Sequence, residues 1–421
     1  MHKPAYSWLT FWASMLFIII LGFSRLSYGL FLPTIQRVMG GTYGELGMLG
    51  ALNFVGYFIG TLFLPVMLSR FSISKRRLNG LASLLLGITM MGSGLSGNLV
   101  QLGIWRLLIG LLSAISTVLV LSLTLDRIQP SQRGTASGLI WMGGSAGIAV
   151  SGFVAPSIIS PIHPFAWRIA WLAMGLFGVL SSVGFETLLN RIQKVNTETP
   201  YASLAGEKKS TNYQMIFSPR KLLFLALSYF LYGWSYIVYF TYLIPYLVKH
   251  GVPPIYAGLV WSAIGFAGMF NGFIGGKAID RWPSGFTLSI GLAIGTVGAI
   301  SVLTDNLTIT FIGGMLIGMA TFLSPPVMTS ALLRRELSAA SYASILSTFS
   351  ALFAAGQMIG PLIGGWTVDQ ISLQAGIASS AITMLFSAGF AVAYGGTQRL
   401  KIPRNADTGL GKFTQSNRTR E

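Results

Sequence analysis

Arg25 is the residue whose position in this chain most strongly suggests chemistry. It lies in the sequence GFSRLSYG, in the middle of an apolar stretch long enough to cross a bilayer. An arginine at that depth costs about 2.5–3.5 kcal/mol even on a lenient insertion scale, so its side chain should face a cavity or a partner. Tyr28, three residues later, lies on the same face of a helix.

Acidic partners for Arg25 are scarce, because Glu45 and Glu186 lie near the ends of their apolar stretches. An unpaired guanidinium in a wet cavity suits a carboxylate or another oxyanion, which it binds through two parallel hydrogen bonds. We therefore predict that Arg25 binds an organic anion. The alternative is a structural arginine held by an internal acid or by carbonyl groups.

Arg106 is a second arginine within an apolar stretch. It opens the pattern Arg106-x-x-x-Gly110-x-x-x-Ala114, which places the glycine and the alanine on one helix face. Small residues at this spacing allow a neighbouring helix to approach closely. Three roles fit the arginine itself: reaching the membrane surface, holding neighbouring helices together, or lining the cavity.

An aromatic stripe follows in the second half of the chain, where Tyr232, Tyr236 and Tyr239 repeat at helical spacing. The aromatic belts of membrane interfaces do not explain rings near the centre of a span. These rings and hydroxyl groups suit a ligand, and core packing with satisfied hydroxyl groups explains them equally well. The predicted substrate-binding residues are Arg25, Tyr28, Asn53, Arg106, Tyr232, Tyr236, Tyr239, Phe353 and Gln357.

Membrane helices are the elements that must position these side chains. The chain is 52% hydrophobic and 9% charged, which is too few charges to cover a soluble protein of 421 residues. Period-two alternation of apolar residues is absent, so helices are favoured over a barrel, and each must cross about 30 Å of hydrocarbon. The twelve predicted spans are roughly 8–36, 44–69, 78–97, 100–127, 135–159, 168–190, 220–248, 255–279, 284–304, 306–333, 342–369 and 373–396.

The chain nearly repeats itself, which predicts an all-α membrane protein made of two pseudo-symmetric six-helix bundles. The pattern Gly-x-Ser-x-x-x-Tyr begins at Gly22 and again at Gly233. Such a repeat indicates two equivalent halves with a site between them. At the same place in the pattern, the first copy has Arg25 and the second has Tyr236. The predicted organisation is a bundle over 1–190, a cytoplasmic linker over 191–219, a second bundle over 220–396 and a basic cytoplasmic tail over 397–421.

The basic residues follow membrane topology rather than a nucleic-acid surface, although the net charge is +17. If the N-terminus is cytoplasmic, only Arg37, Arg168 and Lys249 fall in outer loops, and most other basic residues fall in inner ones. This positive-inside pattern predicts a multi-pass protein of the cytoplasmic (inner) membrane with both termini in the cytoplasm. The predicted partners are the lipid bilayer and a small molecule, not nucleic acid.

The sequence lacks the motifs of the common catalytic sites. It has no cysteine, its three histidines lie at the N-terminus or near outer span ends, and no G-x-x-x-x-G-K-[ST] loop is present. We therefore predict that the protein is not an enzyme, needs no cofactor or metal, and acts as a monomer. The first apolar stretch exceeds that of a cleavable signal, so it is predicted to be retained.

Several motifs in order resemble those of the major facilitator superfamily. A Gly-x-x-x-Asp-Arg loop ends at Asp280 and Arg281, a span-four motif begins at Arg106, and a Gly-x-x-x-Asp pair ends at Asp369. The resemblance covers about residues 8–396. It implies two six-helix bundles and secondary transport through a site between them.

Two further resemblances concern the substrate. The segment GFSRLSYGLFLP resembles a bacterial YbfB-like branch of the superfamily, whose first helix carries a similar arginine. Arginines on spans one and four are similar to those of organic-anion symporters, but Ser113 stands where those proteins commonly have an acid. In the first-half signature loop, Pro65 and Ser69 replace the usual glycine and aspartate. The Gly-Pro pair of many drug antiporters is missing on span five.

These features together predict a secondary transporter that moves a small organic anion by alternating access, with proton coupling left open. The alternative is an exporter of amphipathic drugs or metabolites in which Arg25 is structural. A membrane receptor or assembly factor that does not transport is a third class.

Charges in the inner loops predict a cytoplasmic gate. Arg70 is predicted to pair with Asp126, and Arg281 with Glu336, as a latch that favours the outward-open form. Asp280 is predicted to cap the start of span five, where the helix dipole favours a negative charge.

Overall fold

The computed structural model describes residues 3–70, 73–129, 132–159, 165–193, 220–321, 324–337 and 339–399. These ranges contain fourteen α-helices and no strand. The helices are α1 Lys3–Phe17, α2 Tyr28–Met39, α3 Tyr43–Arg70, α4 Lys75–Gly94, α5 Leu99–Leu125, α6 Arg133–Ile159, α7 Ala166–Gln193, α8 Arg220–Lys249, α9 Pro254–Arg281, α10 Gly285–Ser301, α11 Leu307–Thr321, α12 Ser324–Glu336, α13 Ala339–Gln370 and α14 Leu373–Arg399. Most of the predicted linker, 194–219, and most of the predicted tail, 400–421, lie outside the described residues.

All twelve predicted spans coincide with helical segments, which confirms the all-α membrane fold. Among the described residues, ten helices are long and apolar enough to cross a membrane, and α9 makes eleven if its 42° bend lies within one span. The predicted count of twelve is therefore not met by length and hydropathy alone. The remaining predicted span corresponds to α4, whose 20 residues begin with three basic ones and include several glycines and serines.

The first span is not one regular helix. Between α1 and α2 lies a π-helix over Ile18–Leu26, and all nine of its residues are buried. It closes with a hydrogen bond from the Ser27 amide to the Gly22 carbonyl oxygen at 3.0 Å. Gly22 also faces α6 so closely that a Cβ atom there would lie 2.7 Å from the Cα atom of Gly147. Because π-helical turns are rare and often mark functional sites, this part of the span is a candidate for a functional site.

The helices form two halves, one ending with α7 and one beginning with α8. Contacts between the halves are made by α2 against α8, α3 against α13, and α6 against α9. Because each span reverses direction, one end of the molecule holds the ends of the chain near Lys3 and Arg399, and we call it the terminal end. The opposite end, where α2 meets α3 and α8 meets α9, is called the distal end.

Within the first half, α5 packs tightly on α3 through the predicted small-residue face. Gly110 lies against the Asn53 carbonyl group, and a Cβ atom at Gly60 would lie 3.0 Å from the Ala114 Cβ atom. The close approach lets the two backbones pack without intervening side chains, as in other membrane helix pairs. The helix that carries Arg106 is thus fixed to the helix that carries Asn53.

Large apolar side chains cover the outer surface, while many polar ones are inside. Val100 is 76% exposed and Phe153 is 73% exposed, whereas Arg106 and Asn53 are fully buried. This reversal of the usual distribution fits a protein surrounded by lipid. In the described ranges an ion pair joins Arg76 and Glu186 at 3.1 Å, near the terminal end.

Candidate functional site

Arg25 lies at the centre of the molecule, between the two halves. Its guanidinium carbon lies 4.1 Å from the ring centroid of Tyr57 and 5.2 Å from that of Phe54, both on α3. The side chain is 9% exposed, and its Nε atom has no hydrogen-bond partner among the described residues. Aromatic faces attract a cation through the ring quadrupole, so the two rings partly offset the loss of water.

Gln357 connects Arg25 to the second half. The Nη2 atom of Arg25 donates to the Gln357 Oε1 atom at 3.4 Å, which is a long hydrogen bond. The amide nitrogen of Gln357 in turn donates to the hydroxyl oxygen of Tyr236. Two predicted residues on α13 and α8 are thus joined to the arginine of the first span. A neutral amide, rather than a carboxylate, is the hydrogen-bond acceptor for this cation.

The aromatic stripe on α8 forms a stack with α13. The ring centroid of Phe353 lies 4.8 Å from that of Tyr229, 5.7 Å from that of Tyr232 and 5.9 Å from that of Tyr236. Tyr232 and Tyr236 are themselves 5.1 Å apart, and the planes of these contacts differ by 17° or less. We call Tyr229, Tyr232, Tyr236 and Phe353 the ring stack. It presents nearly parallel rings beside the Arg25–Gln357 link.

Arg106 is buried beneath this site rather than reaching the membrane surface. Its Nη1 atom donates to the Ser24 carbonyl oxygen at 2.7 Å, next to Arg25, and its guanidinium carbon lies 4.5 Å from the Tyr28 ring centroid. Its Nε and Nη2 atoms have no partner in the described part of the chain. Asn53 donates to the Arg106 carbonyl oxygen at 3.1 Å. Of the three predicted roles, full burial excludes reaching the membrane surface, and the contacts fit both holding the helices and lining the cavity.

Tyr28 and Tyr239 lie apart from the ring stack. The Tyr28 hydroxyl donates to the Leu46 carbonyl oxygen at 2.8 Å, and its ring covers Arg106 instead of Arg25. Tyr239 is buried, and its hydroxyl group has no hydrogen-bond partner within the described ranges. Helical spacing predicted that both side chains would line the site, but the structure does not bring them into contact with Arg25.

Phe54 and Tyr229 contribute to the site although they were not predicted to bind the substrate, and Tyr57 contributes as a weaker candidate that the sequence offered on one face with Asn53. Phe54 and Tyr57 are three positions apart on α3 and therefore share a face. That spacing was the available signal, but it does not reveal that the face meets Arg25. Tyr229 precedes Tyr232 at the same spacing and extends the predicted stripe by one turn.

The distal end closes through a carboxylate that binds backbone amides of the other half. Asp369 accepts hydrogen bonds from the Tyr43 amide at 2.8 Å and from the Gly44 amide at 2.7 Å. These are the first residues of α3, where unpaired amides and the helix dipole favour a negative charge. The Tyr242 hydroxyl donates to the Pro361 carbonyl oxygen at 2.9 Å and lies 3.3 Å from the Tyr43 carbonyl oxygen. We call the Asp369–α3 contact the distal clasp.

The predicted latch residues lie at the terminal end, and the Arg70–Asp126 pair is not formed in the described part of the chain. Arg70 is exposed, and Asp126 accepts instead from the Ser122 hydroxyl group at 3.1 Å. Arg281 is exposed and lies 5.2 Å from the Trp282 ring centroid.

The other two latch residues differ in burial. Glu336 is half-buried at the end of α12. Asp280 is exposed, and no hydrogen bond to the start of α6 is present among the described residues. Arg70 and Asp126 both belong to the first half, and Arg281 and Glu336 both belong to the second. Of the predicted gate contacts, the one between Asp280 and the start of α6 would join the two halves. The described part of the chain contains no group of three or more His, Cys, Asp or Glu side chains that could hold a metal ion.

The fold and the central site define a polytopic helical membrane protein with two similar halves and a polar site between them. The chain belongs to the transporter family described as uncharacterised MFS-type transporter YbfB, whose family model matches residues 17–393. This confirms the resemblance to the major facilitator superfamily. Family and fold are those of transporters rather than enzymes, and they imply a small-molecule substrate and a multi-pass membrane setting.

Relatives with similar sequences carry names of the same kind. An uncharacterised transporter of Bacillus subtilis (strain 168), YybO, is 27% identical over 326 residues, which are 70% of this chain and 72% of that protein. The uncharacterised MFS-type transporter YybF of the same organism is 24% identical over 295 residues, covering 69% and 70% of the two chains.

Solved structures share the fold at low sequence identity. A bacterial homologue of the human lysosomal transporter Spinster, in an inward-facing and unoccupied conformation, matches with a TM-score of 0.70 and 15% identity, covering 95% of this chain and 97% of that one. The nucleoside transporter NupG matches with a TM-score of 0.70 and 12% identity, covering 94% and 98%. At these identities the likeness concerns the fold alone.

Proposed function

We propose that this protein is a secondary transporter that binds a small organic anion at Arg25 and carries it across the cytoplasmic membrane by alternating access. The observation that carries the proposal is a nearly buried guanidinium between the two halves, with rings and a neutral amide as its described neighbours. A nearly buried cation that has no carboxylate partner is able to bind an anionic ligand. The midplane between the halves is where transporters of this architecture bind their substrates.

The asymmetry of the two ends supports alternating access. The positive-inside pattern supports a cytoplasmic terminal end, and the distal end then faces the outside. With the distal clasp formed, the structure is closed toward that side. An anion that binds Arg25 would compete with Gln357 for the guanidinium and so alter the link that joins α8 and α13 to the first span. The predicted contact of Asp280 with the start of α6 would join the halves at the terminal end in the opposite conformation.

Transport of carboxylates by the purified protein in proteoliposomes tests the proposal. Arg25→Gln should lower the affinity for a bound carboxylate about 10- to 100-fold, because a charge-assisted hydrogen bond contributes about 1.5–3 kcal/mol. Arg25→Lys should keep part of the affinity, since it keeps the charge but not the planar fork. Arg37→Gln, which replaces an exposed arginine in the last turn of α2, is the matched control. Unchanged binding and uptake in both Arg25 variants would exclude Arg25 as the anion anchor.

The coupling ion is tested in the same vesicles. Uptake measured with and without an inward proton gradient separates a proton symporter from a uniporter. Ser113, which is buried and donates to the Gly110 carbonyl oxygen at 2.8 Å, cannot carry the proton as an acid at that position would. We therefore expect that any proton dependence comes from another group or from the protonation of the substrate.

A second candidate is export of amphipathic compounds, and the ring stack is the observation that favours it. Four aromatic side chains provide an apolar surface that does not need the arginine. In that case Arg25→Gln would leave the transport of uncharged aromatic compounds intact. A resistance assay in cells that express the wild type or Arg25→Gln distinguishes the two candidates.

A further inference from the structure

We infer that the substrate of this site is a planar aromatic carboxylate, in which the acid group binds Arg25 and the ring is held between aromatic faces of the two halves. The inference rests on the proposed function and names the substrate class of the same site. Its basis is the combination of a cation with free donors and aromatic rings on both sides of it.

The guanidinium of Arg25 has donors to spare. One long hydrogen bond to Gln357 is described, and the Nε atom has no partner in the described part of the chain. A carboxylate accepts two parallel N–H bonds from such a group, and these bonds are roughly twice as strong as bonds to a neutral amide. The acid group of a ligand should therefore displace Gln357 from the cation.

Aromatic faces lie on both sides of the bound acid group. Phe54 and Tyr57 belong to the first half, and the ring stack belongs to the second. Tyr57 and Phe353 are partly exposed, whereas Tyr232 and Tyr236 are buried. α3 and α13 contact each other across the interface, so the partly exposed rings of Tyr57 and Phe353 belong to helices that meet near Arg25. A ring attached to the carboxylate has aromatic neighbours in either direction.

The parallel arrangement of the ring stack favours a flat ligand over a puckered one. Phe353 and Tyr236 differ in plane by 5°, and Phe353 and Tyr229 by 12°. A planar ring can continue such a series by offset stacking, which is favourable beyond the burial of area alone. A saturated ring of the same size fills similar volume without this contact. The expected preference is about tenfold in dissociation constant.

Binding of three matched probes to the full-length protein in detergent tests the inference by calorimetry. Benzoate has both the acid and the aromatic ring, cyclohexanecarboxylate has the acid on a saturated ring, and benzyl alcohol has the ring without charge. We expect benzoate to bind about tenfold more tightly than cyclohexanecarboxylate, and benzyl alcohol to bind much more weakly than either.

Variants assign the preference to the ring stack. Phe353→Leu should bring the ratio of the two dissociation constants close to one by weakening benzoate binding, while Phe353→Tyr should restore the ratio. Phe266→Leu, which removes an exposed aromatic ring of α9 away from the site, should leave the ratio unchanged. The Phe353→Tyr variant keeps the test valid if Phe353→Leu folds poorly.

Two outcomes overturn different parts of the argument. If both carboxylates bind equally and their binding depends on Arg25, the aromatic substrate class is wrong and the anion transporter remains. If benzyl alcohol binds as tightly as benzoate, or if neither carboxylate binds, the proposed function fails together with the substrate class.

Discussion

At the residue scale, two buried guanidinium groups have aromatic rings and an amide or carbonyl oxygen as their described neighbours in place of carboxylates. Arg25 lies over Tyr57 and Phe54, and Arg106 lies over Tyr28 and donates to the Ser24 carbonyl oxygen. Arg106 is fully buried, so the desolvation of its charge is incompletely offset. Such an arrangement costs stability and is expected where a positive potential serves binding.

Replacing Arg106 with methionine should therefore raise the thermal stability while it weakens anion binding. The expected gain is about 1–4 kcal/mol, because a well-packed apolar side chain avoids the burial of a charge. Binding should weaken because Arg106 contributes to the positive potential and fixes the backbone beside Arg25. Thermal melting and calorimetry with benzoate measure the two effects.

Arg168→Met is the matched control for this prediction. Arg168 also donates to a carbonyl oxygen, that of Gly94 at 2.9 Å, and also lies on an aromatic ring, but it is only half-buried near the distal end. Its replacement should lower stability or leave it unchanged. A loss of stability in Arg106→Met equal to that in Arg168→Met would show that the buried charge is adequately compensated.

The sequence predicted the isolated charge better than its surroundings. Arg25 was recognisable because a cation in an apolar stretch is costly wherever it faces. Its contacts with Phe54 and Tyr57 were not, because helical periodicity defines a face but not the helix that covers it. For the same reason Tyr239 had the right spacing and still lies apart from the ring stack.

At the element scale, the close contact of α3 and α5 determines where the site residues stand. Gly110 lies against the carbonyl group of Asn53, on the helix that also carries Phe54 and Tyr57. A side chain at Gly110 would push α3 away from α5 and move the rings beneath Arg25. Both the fold and the binding site thus depend on this small residue.

Gly110→Ala should lower the free energy of unfolding by about 1–3 kcal/mol, because the added methyl group overlaps the α3 backbone. Gly138→Ala on α6 is the control, because nothing lies within 4 Å of a Cβ atom at that position. There the change should be neutral or stabilising, since alanine is the better helix former. Thermal melting of the two variants in detergent compares them. Equal effects would contradict the packing argument.

The positions of the helices were largely predictable, and their internal irregularities were not. Apolar length located each span to within a few residues, because the bilayer imposes that length. The π-helix in the first span includes Gly22, which packs closely against Gly147 in α6, a contact that no local pattern reveals. The 42° bend in α9 likewise has no proline at the break.

At the scale of the whole molecule, the distal clasp holds one end of the two halves together. Asp369 is the last acidic side chain before α13 ends, and it accepts two backbone hydrogen bonds from the start of α3. Its Gly-x-x-x-Asp pattern was recognised in the sequence as a superfamily feature, but its partner was not. That partner is a pair of backbone amides, which carry no sequence signal.

Asp369→Asn should shift the population toward a conformation open at the distal end. The loss of two charge-assisted hydrogen bonds should increase access from that end at least about tenfold. A single cysteine at Gly50 reports the change, because the native chain has no cysteine and a Cβ atom there meets nothing closer than 3.5 Å. Labelling by a membrane-impermeant maleimide measures its access rate.

Asp305→Asn is the control for the clasp. Asp305 lies at the same end and accepts a hydrogen bond from the Tyr246 hydroxyl group at 3.4 Å, but both residues belong to the second half. Its replacement should leave the labelling of the Gly50→Cys reporter unchanged. Equal labelling rates in the Asp369→Asn and Asp305→Asn backgrounds would show that the clasp does not control the distal opening.

The π-helix also gives the first span a means of motion that does not require the halves to separate. A π-helical stretch has fewer turns than an α-helix with the same number of residues, and each residue of an α-helix advances the rotation by about 100°. Arg25 lies within this stretch, one residue before its end. Rewinding a single turn would rotate the guanidinium away from Gln357 while α3 and α13 kept their positions. Under the proposed function, a bound anion would then be released by a local change of winding, and the movement of the halves would choose the side of the membrane.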